Sequence, residues 1–157
     1  MLENTKIKLA SFENNTNYSI HELLTMASIV ELEAVNESDR RTVAQVIYKR
    51  LKMGKGLGMD VTSYYGVQKS MDESLTTVDL NDENPYNTRV TTFIGLPVGP
   101  ICNPGMDSVL AALEPESHDY YYFVTDKNGK TYFTKTNNEH IAVINELKKN
   151  DLWYVYE

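Results

Sequence analysis

The sequence predicts one α+β domain: a buried helix and further helices packed with a small antiparallel sheet that includes a C-terminal β-hairpin. Three observations predict it. Ser19 and Glu22 form an S-x-x-E capping box ahead of Leu23, Leu24, Met26, Ala27, Ile29 and Val30, whose apolar side chains surround a helix almost completely. Val43, Val46, Ile47 and Leu51 recur at helical spacing between Arg40, Arg41, Lys49 and Arg50, the pattern of an amphipathic helix. Two short segments rich in β-formers, 120–125 and 131–136, flank Asp126-Lys127-Asn128-Gly129-Lys130, a hairpin by composition. With 157 residues, 41% of them hydrophobic, the chain is long enough to bury roughly two thirds of its unfolded surface around one core.

Residues 1–18 carry Asn14, Asn15 and Asn17 without a clear period and are expected to be a flexible lead or the end of an upstream segment, with the folded domain over 19–157. The capping box starts the first helix. Ser38 is the expected start of the second, and Gly54, Gly56 and Gly58 end it in a turn leading to Asp60. These glycines have no preceding strand and no following G-K-[ST], so a phosphate loop is not indicated. Thr62–Ser70 predicts a short helix. The acidic stretch holding Asp72, Glu73, Asp79, Asp82 and Glu83 reads as a solvated connection, and its spacing fits no calcium loop. Gly95–Gly105, with Pro97, Pro100 and Pro104, predicts an extended rigid loop. Met106–Leu113 predicts a short helix, and 138–149 a last one with Ile141, Ile144 and Leu147 on one face.

Composition narrows the function. Fifteen Lys and Arg against twenty-two Asp and Glu give −7, which leaves a nucleic-acid partner without electrostatic support. The lone Cys102 cannot form an internal disulfide and three scattered His make no zinc pattern, so neither metal nor cofactor is expected. No run of about 18 apolar residues spans a membrane. Eleven of sixteen aromatic residues are Tyr, a side chain suited both to strand faces and to surfaces that meet sugars.

The first helix then carries two acids. By helical rotation Glu31 shares a small, apolar face with Leu24, Ala27, Ser28, Ala34 and Val35. A carboxyl there is expected to lose hydration, which disfavours its charged form and suits a general acid. Ser28 and the alanines leave room for a substrate. Glu33 points about 200° away and is expected to pair with Arg40 or Arg41 in a structural role. Asp60 is the better candidate for a second carboxylate. In Pro85-Tyr86-Asn87-Thr88, Tyr86 and Asn87 offer hydrogen-bonding groups after a residue that fixes the backbone, as a substrate-positioning loop requires. His21, His118 and His140 are assigned no catalytic role, and Cys102 reads as a small hydrophobe.

Leu24-Thr25-Met26-Ala27-Ser28-Ile29-Val30-Glu31-Leu32-Glu33 closely resembles the L-T-L-A-S-I-V-E-x-E signature of the endolytic murein transglycosylases, the YceG-like or MltG family. Arg40, Val43, Ala44, Val46, Arg50, Leu51, Gly54 and Leu57 resemble its next helix and turn, and Asp60, Thr62, Tyr65 and Gly66 its D-P-T-x-x-Y-G segment. Tyr86-Asn87-Thr88 is similar to its Y-N-T, 95–105 to its G-L-P-P-G-P-I-x-N-P-G loop, and Tyr122-Phe123-Val124, Phe133, Thr136, Glu139 and His140 to its last elements. Val61, Val98, Arg89, Tyr132 and Ile141 depart from the pattern; Arg89 stands where an aromatic residue often follows Y-N-T.

The resemblance implies cleavage of the β-1,4 bond between N-acetylmuramic acid and N-acetylglucosamine in peptidoglycan strands, leaving 1,6-anhydro ends. It implies Glu31 as acid and then base, with Ser28, Asp60, Tyr86 and Asn87 binding the substrate. Glycan strands are the implied partner, with cell-wall synthesis proteins beside them, at the extracytoplasmic face of the bacterial membrane. Members typically carry an amino-terminal membrane helix and a LysM-like part, so this chain is expected to be a catalytic portion whose only link to the membrane is an anchor outside it. Two other readings remain open: a lysozyme-like hydrolase using Glu31 and Asp60, and a non-catalytic glycan-binding module.

Overall fold

The computed structural model describes residues 16–153; most of the expected lead lies outside them. Helix α1 (Ile20–Glu33) starts at the Ser19–Glu22 capping box, in which the Ser19 hydroxyl accepts from the Glu22 amide and the Glu22 carboxylate from the Ser19 amide. Because α1 is apolar nearly all round, the chain has to enclose it, and Leu23, Met26, Ala27, Ile29 and Val30 are all but inaccessible. Its wall is built by α2 (Arg40–Lys52), α3 (Asp60–Val67) and α5 (Met106–Leu113), with α4 (Thr77–Leu80) packed against α3. Val43, Ala44 and Ile47 of α2 and Val109, Ala111 and Ala112 of α5 complete the core with Leu57, Met59, Val61 and Ile101.

The remaining side of α1 is covered by the proline-rich loop 95–105, which has no regular structure, as expected. Prolines remove donors from this loop, and two of the amides that remain find acceptors on one stripe of α1. The Ile101 amide donates to Ser28 Oγ (3.0 Å), and the Gly105 amide to Glu31 Oε2 (3.2 Å). His21 Nε2 meets the Val98 carbonyl at 2.9 Å, and the Cys102 thiol donates to the Ser28 carbonyl. Residues 21, 28 and 31 lie one or two helical turns apart, so the loop runs alongside the helix.

The hairpin pairs β1 (Tyr122–Thr125) with β2 (Thr131–Thr134) antiparallel, Tyr122 opposite Thr134. Its turn is organised by Asp126, which accepts from the Asn128 and Lys130 amides and the Tyr132 hydroxyl. Helix α6 (Asn137–Lys149), capped by the Thr136–Glu139 box, packs on this sheet. Of its expected apolar face Leu147 is buried, whereas Ile141 stays 47% exposed.

Two element starts differ from expectation. Ser38 caps nothing: Glu37–Asp39 form a 3-10 turn, Asp39 precedes α2, and no side chain caps that helix. Helix α3 begins at Asp60 rather than Thr62, and inside its first turn the Thr62 hydroxyl donates to the Met59 carbonyl (2.7 Å). The acidic connection is less solvated than expected, since Asp79 caps α4 and pairs with Lys69 at 2.5 Å; these contacts hold its pKa at about 2.

Gly66 faces Asn84, whose Oδ1 accepts from the Tyr86 and Asn87 amides and so sets the turn that presents Tyr86. A methyl group at position 66 would overlap that side chain. Gly66→Ala is expected to cost about 1–3 kcal/mol, the usual range for overpacking, measured as a lowered urea midpoint; an unchanged midpoint would show that Asn84 moves aside freely.

Candidate active site

Glu31 and Glu33 sit in the last turn of α1, and they diverge as the helical rotation predicts. Glu31 is half-buried, and its Oε2 accepts from the Gly105 amide and, at 2.5 Å, from the Ser108 hydroxyl. Gly105 precedes α5 and Ser108 lies in its first turn, so the Glu31 carboxylate covers the electropositive start of that helix. Its surroundings are therefore not the bare apolar face expected from the wheel. The wheel shows which neighbours Glu31 has on its own helix, not what packs opposite, and a donor pair packs opposite.

The carboxyl that loses its hydration is Glu33. The residue retains some exposure, but its Oε1 is closed off from solvent and has no hydrogen-bond partner. Burial first, and the nearby Asp60 carboxylate second, push its pKa up to about 7, against the Val61 amide and the Arg89 guanidinium. The expected pairing of Glu33 with Arg40 or Arg41 does not form. The backbone turns extended at Ala34, and the following turn carries Arg41 to Glu114 (2.5 Å) while Arg40 lies 3.9 Å from Glu37.

Asp60, the first residue of α3, is ion-paired with Arg89. Arg89 also lies within electrostatic reach of Arg50 and His140. Burial pushes the His140 pKa down, and both arginines push in the same direction. Four elements thus converge here: the end of α1, the start of α3, the last turn of α2 and the start of α6.

The other expected substrate contacts divide. Ser28 is fully enclosed, its hydroxyl donating to the Thr25 carbonyl and accepting from Ile101, so it fastens the loop. Asn87 is equally enclosed: Oδ1 accepts from the Ser63 hydroxyl and Arg89 amide, and Nδ2 donates to carbonyls of Asp79, Leu80 and Asp82. Thr88 meets Thr62 at 2.8 Å. Two residues of the Y-N-T segment are therefore latches for α3 and α4, and Tyr86 alone is left half-exposed, edge-on to the 44% exposed Tyr65 with ring centres 4.7 Å apart. Sequence reasoning missed Gly105, Ser108, Arg50, Arg89 and His140 as neighbours of the acids. The signal for Arg50 and His140 was their place in the matched motifs.

The model of the YceG-like family matches residues 1–146. The chain belongs to that family. Of the residues that carry the resemblance, Glu33, Asp60, Arg50 and His140 belong to this convergence. Among characterised proteins the chain is 48% identical over 122 residues to the endolytic murein transglycosylase of Bacillus subtilis, covering 78% of this chain and 33% of that protein. It is 33% identical over 130 residues to the endolytic murein transglycosylase of Streptococcus pneumoniae, covering 79% and 23%. The fold is similar to the crystal structure of a yceG-like protein from Listeria monocytogenes, with a TM-score of 0.83 and 39% identity over 91% of this chain and 47% of that one. The chain spans a third or less of the length of these two curated relatives. No helix among the described residues is long and apolar enough to cross a membrane.

Glu33 makes stability depend on pH. Its pKa is about 7 in the fold against 4.5 when free, so the folded chain holds this proton more firmly. The stabilisation is complete below about pH 4.5 and is lost as pH rises through about 7. Glu33→Gln, which mimics the protonated form, is therefore expected to match the parent at pH 4.5 and exceed it by about 1–3 kcal/mol at pH 8. Urea unfolding at both pH values checks this; a variant less stable than the parent at pH 8 would mean that the carboxylate is paired after all.

Proposed function

We propose that this chain is the catalytic part of a peptidoglycan lytic transglycosylase, with Glu33 rather than Glu31 as its acid and base. The observation that carries the reading is the Glu33 carboxyl, whose Oε1 is closed off without a partner and whose pKa is about 7, beside the charged pair Asp60–Arg89. Such a group is protonated in about half of the molecules at pH 7, the condition under which one residue both gives and takes a proton. The names of the B. subtilis and S. pneumoniae relatives support the substrate class.

In this reading Glu33 donates its proton to the glycosidic oxygen between N-acetylmuramic acid and N-acetylglucosamine as the bond breaks. The Asp60 carboxylate stabilises the oxocarbenium-like sugar electrostatically. The Glu33 carboxylate then accepts the proton of the muramyl 6-hydroxyl, whose oxygen bonds to the anomeric carbon and closes the 1,6-anhydro ring. The nucleophile belongs to the substrate, so intramolecular proximity replaces a bound water. Tyr86 and Tyr65 offer aromatic surface to the sugar rings. Glu31 keeps the loop and α5 in register with the end of α1. Strands in the wall are the partner, and the site of action is the extracytoplasmic face of the membrane.

A hydrolase would use the same acid with Asp60 as nucleophile or as the base for water. Its ion pair with Arg89 favours an electrostatic role for Asp60 instead. Product mass separates the two. Purified glycan strands incubated with the chain are expected to yield anhydro-ended fragments, one water lighter than hydrolytic ones. Reducing ends would convert the reading to a hydrolase, and binding without any change in strand length would reduce the chain to a glycan-binding module.

A further inference from the structure

Arg50 is a half-buried guanidinium without a counter-ion among the described residues. Its Nε donates to the Gly56 carbonyl (3.0 Å) and Nη1 to the Tyr121 carbonyl (3.4 Å), both neutral acceptors, and its carbon lies 5.3 Å from the centre of the Tyr122 ring. Tyr122 stacks on His140, ring centres 5.4 Å apart and planes 27° apart, and the His140 Nδ1 is enclosed with no hydrogen-bond partner. Arg89 brings a second guanidinium within reach of both, and only its Nε is taken up by Asp60. Two guanidiniums thus lie within electrostatic reach of each other, Arg89 ion-paired with Asp60 and within reach of Glu33, and Arg50 paired with no carboxylate among the described residues. Enclosing a cation without its counter-charge is costly, and a bound anion removes that cost.

We propose that Arg50 and Arg89 form a subsite for a carboxylate of the glycan substrate, next to Glu33. The inference rests on the peptidoglycan reading above and adds to it a determinant of specificity. The negative charges native to such a strand are carboxylates: the lactyl group of muramic acid where the peptide is absent, and the stem peptide where it is present. Guanidinium geometry suits a carboxylate better than it suits the neutral hydroxyls and acetamides of the sugar backbone. Arg89 adds a second charge that sharpens this preference.

Calorimetric binding of tetrasaccharides to the folded chain carrying Glu33→Gln tests the subsite without turnover. The ligands are a peptide-bearing muramyl tetrasaccharide, the same compound with its peptide carboxyls amidated, a peptide-free one with lactyl carboxylates, and chitotetraose. Carboxylate-bearing ligands are expected to bind at least tenfold tighter than chitotetraose. Arg50→Gln is expected to weaken them at least tenfold more than it weakens chitotetraose. Tight binding of the peptide-free ligand assigns the lactyl group, whereas loss on amidation assigns the peptide. Equal affinity for all four ligands, or equal weakening of all by Arg50→Gln, overturns the subsite. If Arg50→Gln fails to fold, Arg89→Gln decides by the same ratio. Because affinity is read apart from cleavage, charge-selective binding by a chain that cuts no strand would refute the reaction and leave the subsite standing.

Discussion

The structure depends on the enclosure of α1. A helix with apolar residues on nearly every side has no face to give to solvent, so α2, α3 and α5 and the loop 95–105 must close round it. The loop is the weakest of these walls, because it has no internal ladder and its prolines donate nothing. It is held by the polar stripe His21, Ser28 and Glu31 instead. A buried hydroxyl such as Ser28 satisfies its own donor on the Thr25 carbonyl and leaves an acceptor for the loop.

That enclosure sets the chemistry at the end of the helix. Glu33 is in the last turn before the chain turns extended at Ala34, and it meets the start of α3 there. The start of α3 is fixed by the Thr62–Thr88 contact and the enclosed Asn87, which tie the Y-N-T segment to α3 and α4. Asp60 and Arg89 flank this latch, one at the head of α3 and the other just after Thr88, so their ion pair forms between two fixed points. Fixing charges before the substrate arrives is the arrangement in which electrostatic stabilisation is most effective.

Much of the fold was legible because its signals are local. The Ser19 box, the α5 span and the hairpin each follow from a few adjacent residues, and the structure keeps them. The site was legible only in part. Rotation about the helix axis separated Glu31 from Glu33 correctly but could not rank them, since on a helix enclosed on all sides each acid meets whatever a distant segment brings. The donors at Glu31 are more than seventy residues away, and Asp60 is carried to Glu33 by a turn of three glycines. The sequence of Asn87 and its neighbours suits a ligand contact, but an amide is equally able to satisfy carbonyls inside the fold, and only burial, which the sequence does not show, reveals that it does so. Arg50 looked like the solvated side of an amphipathic helix; the glycine turn and β1 fold over it.

The most direct test of this account is the rate at which folded Glu33→Gln and Glu31→Gln cut purified glycan strands, compared with the parent at neutral pH. One group performing both proton transfers predicts a loss of about 10³-fold or more for Glu33→Gln. Glu31→Gln keeps an acceptor for the Gly105 amide and Ser108 hydroxyl, so it is predicted to retain activity within about tenfold of the parent. The opposite pattern, with Glu31→Gln inactive while folded and Glu33→Gln active, would contradict the account.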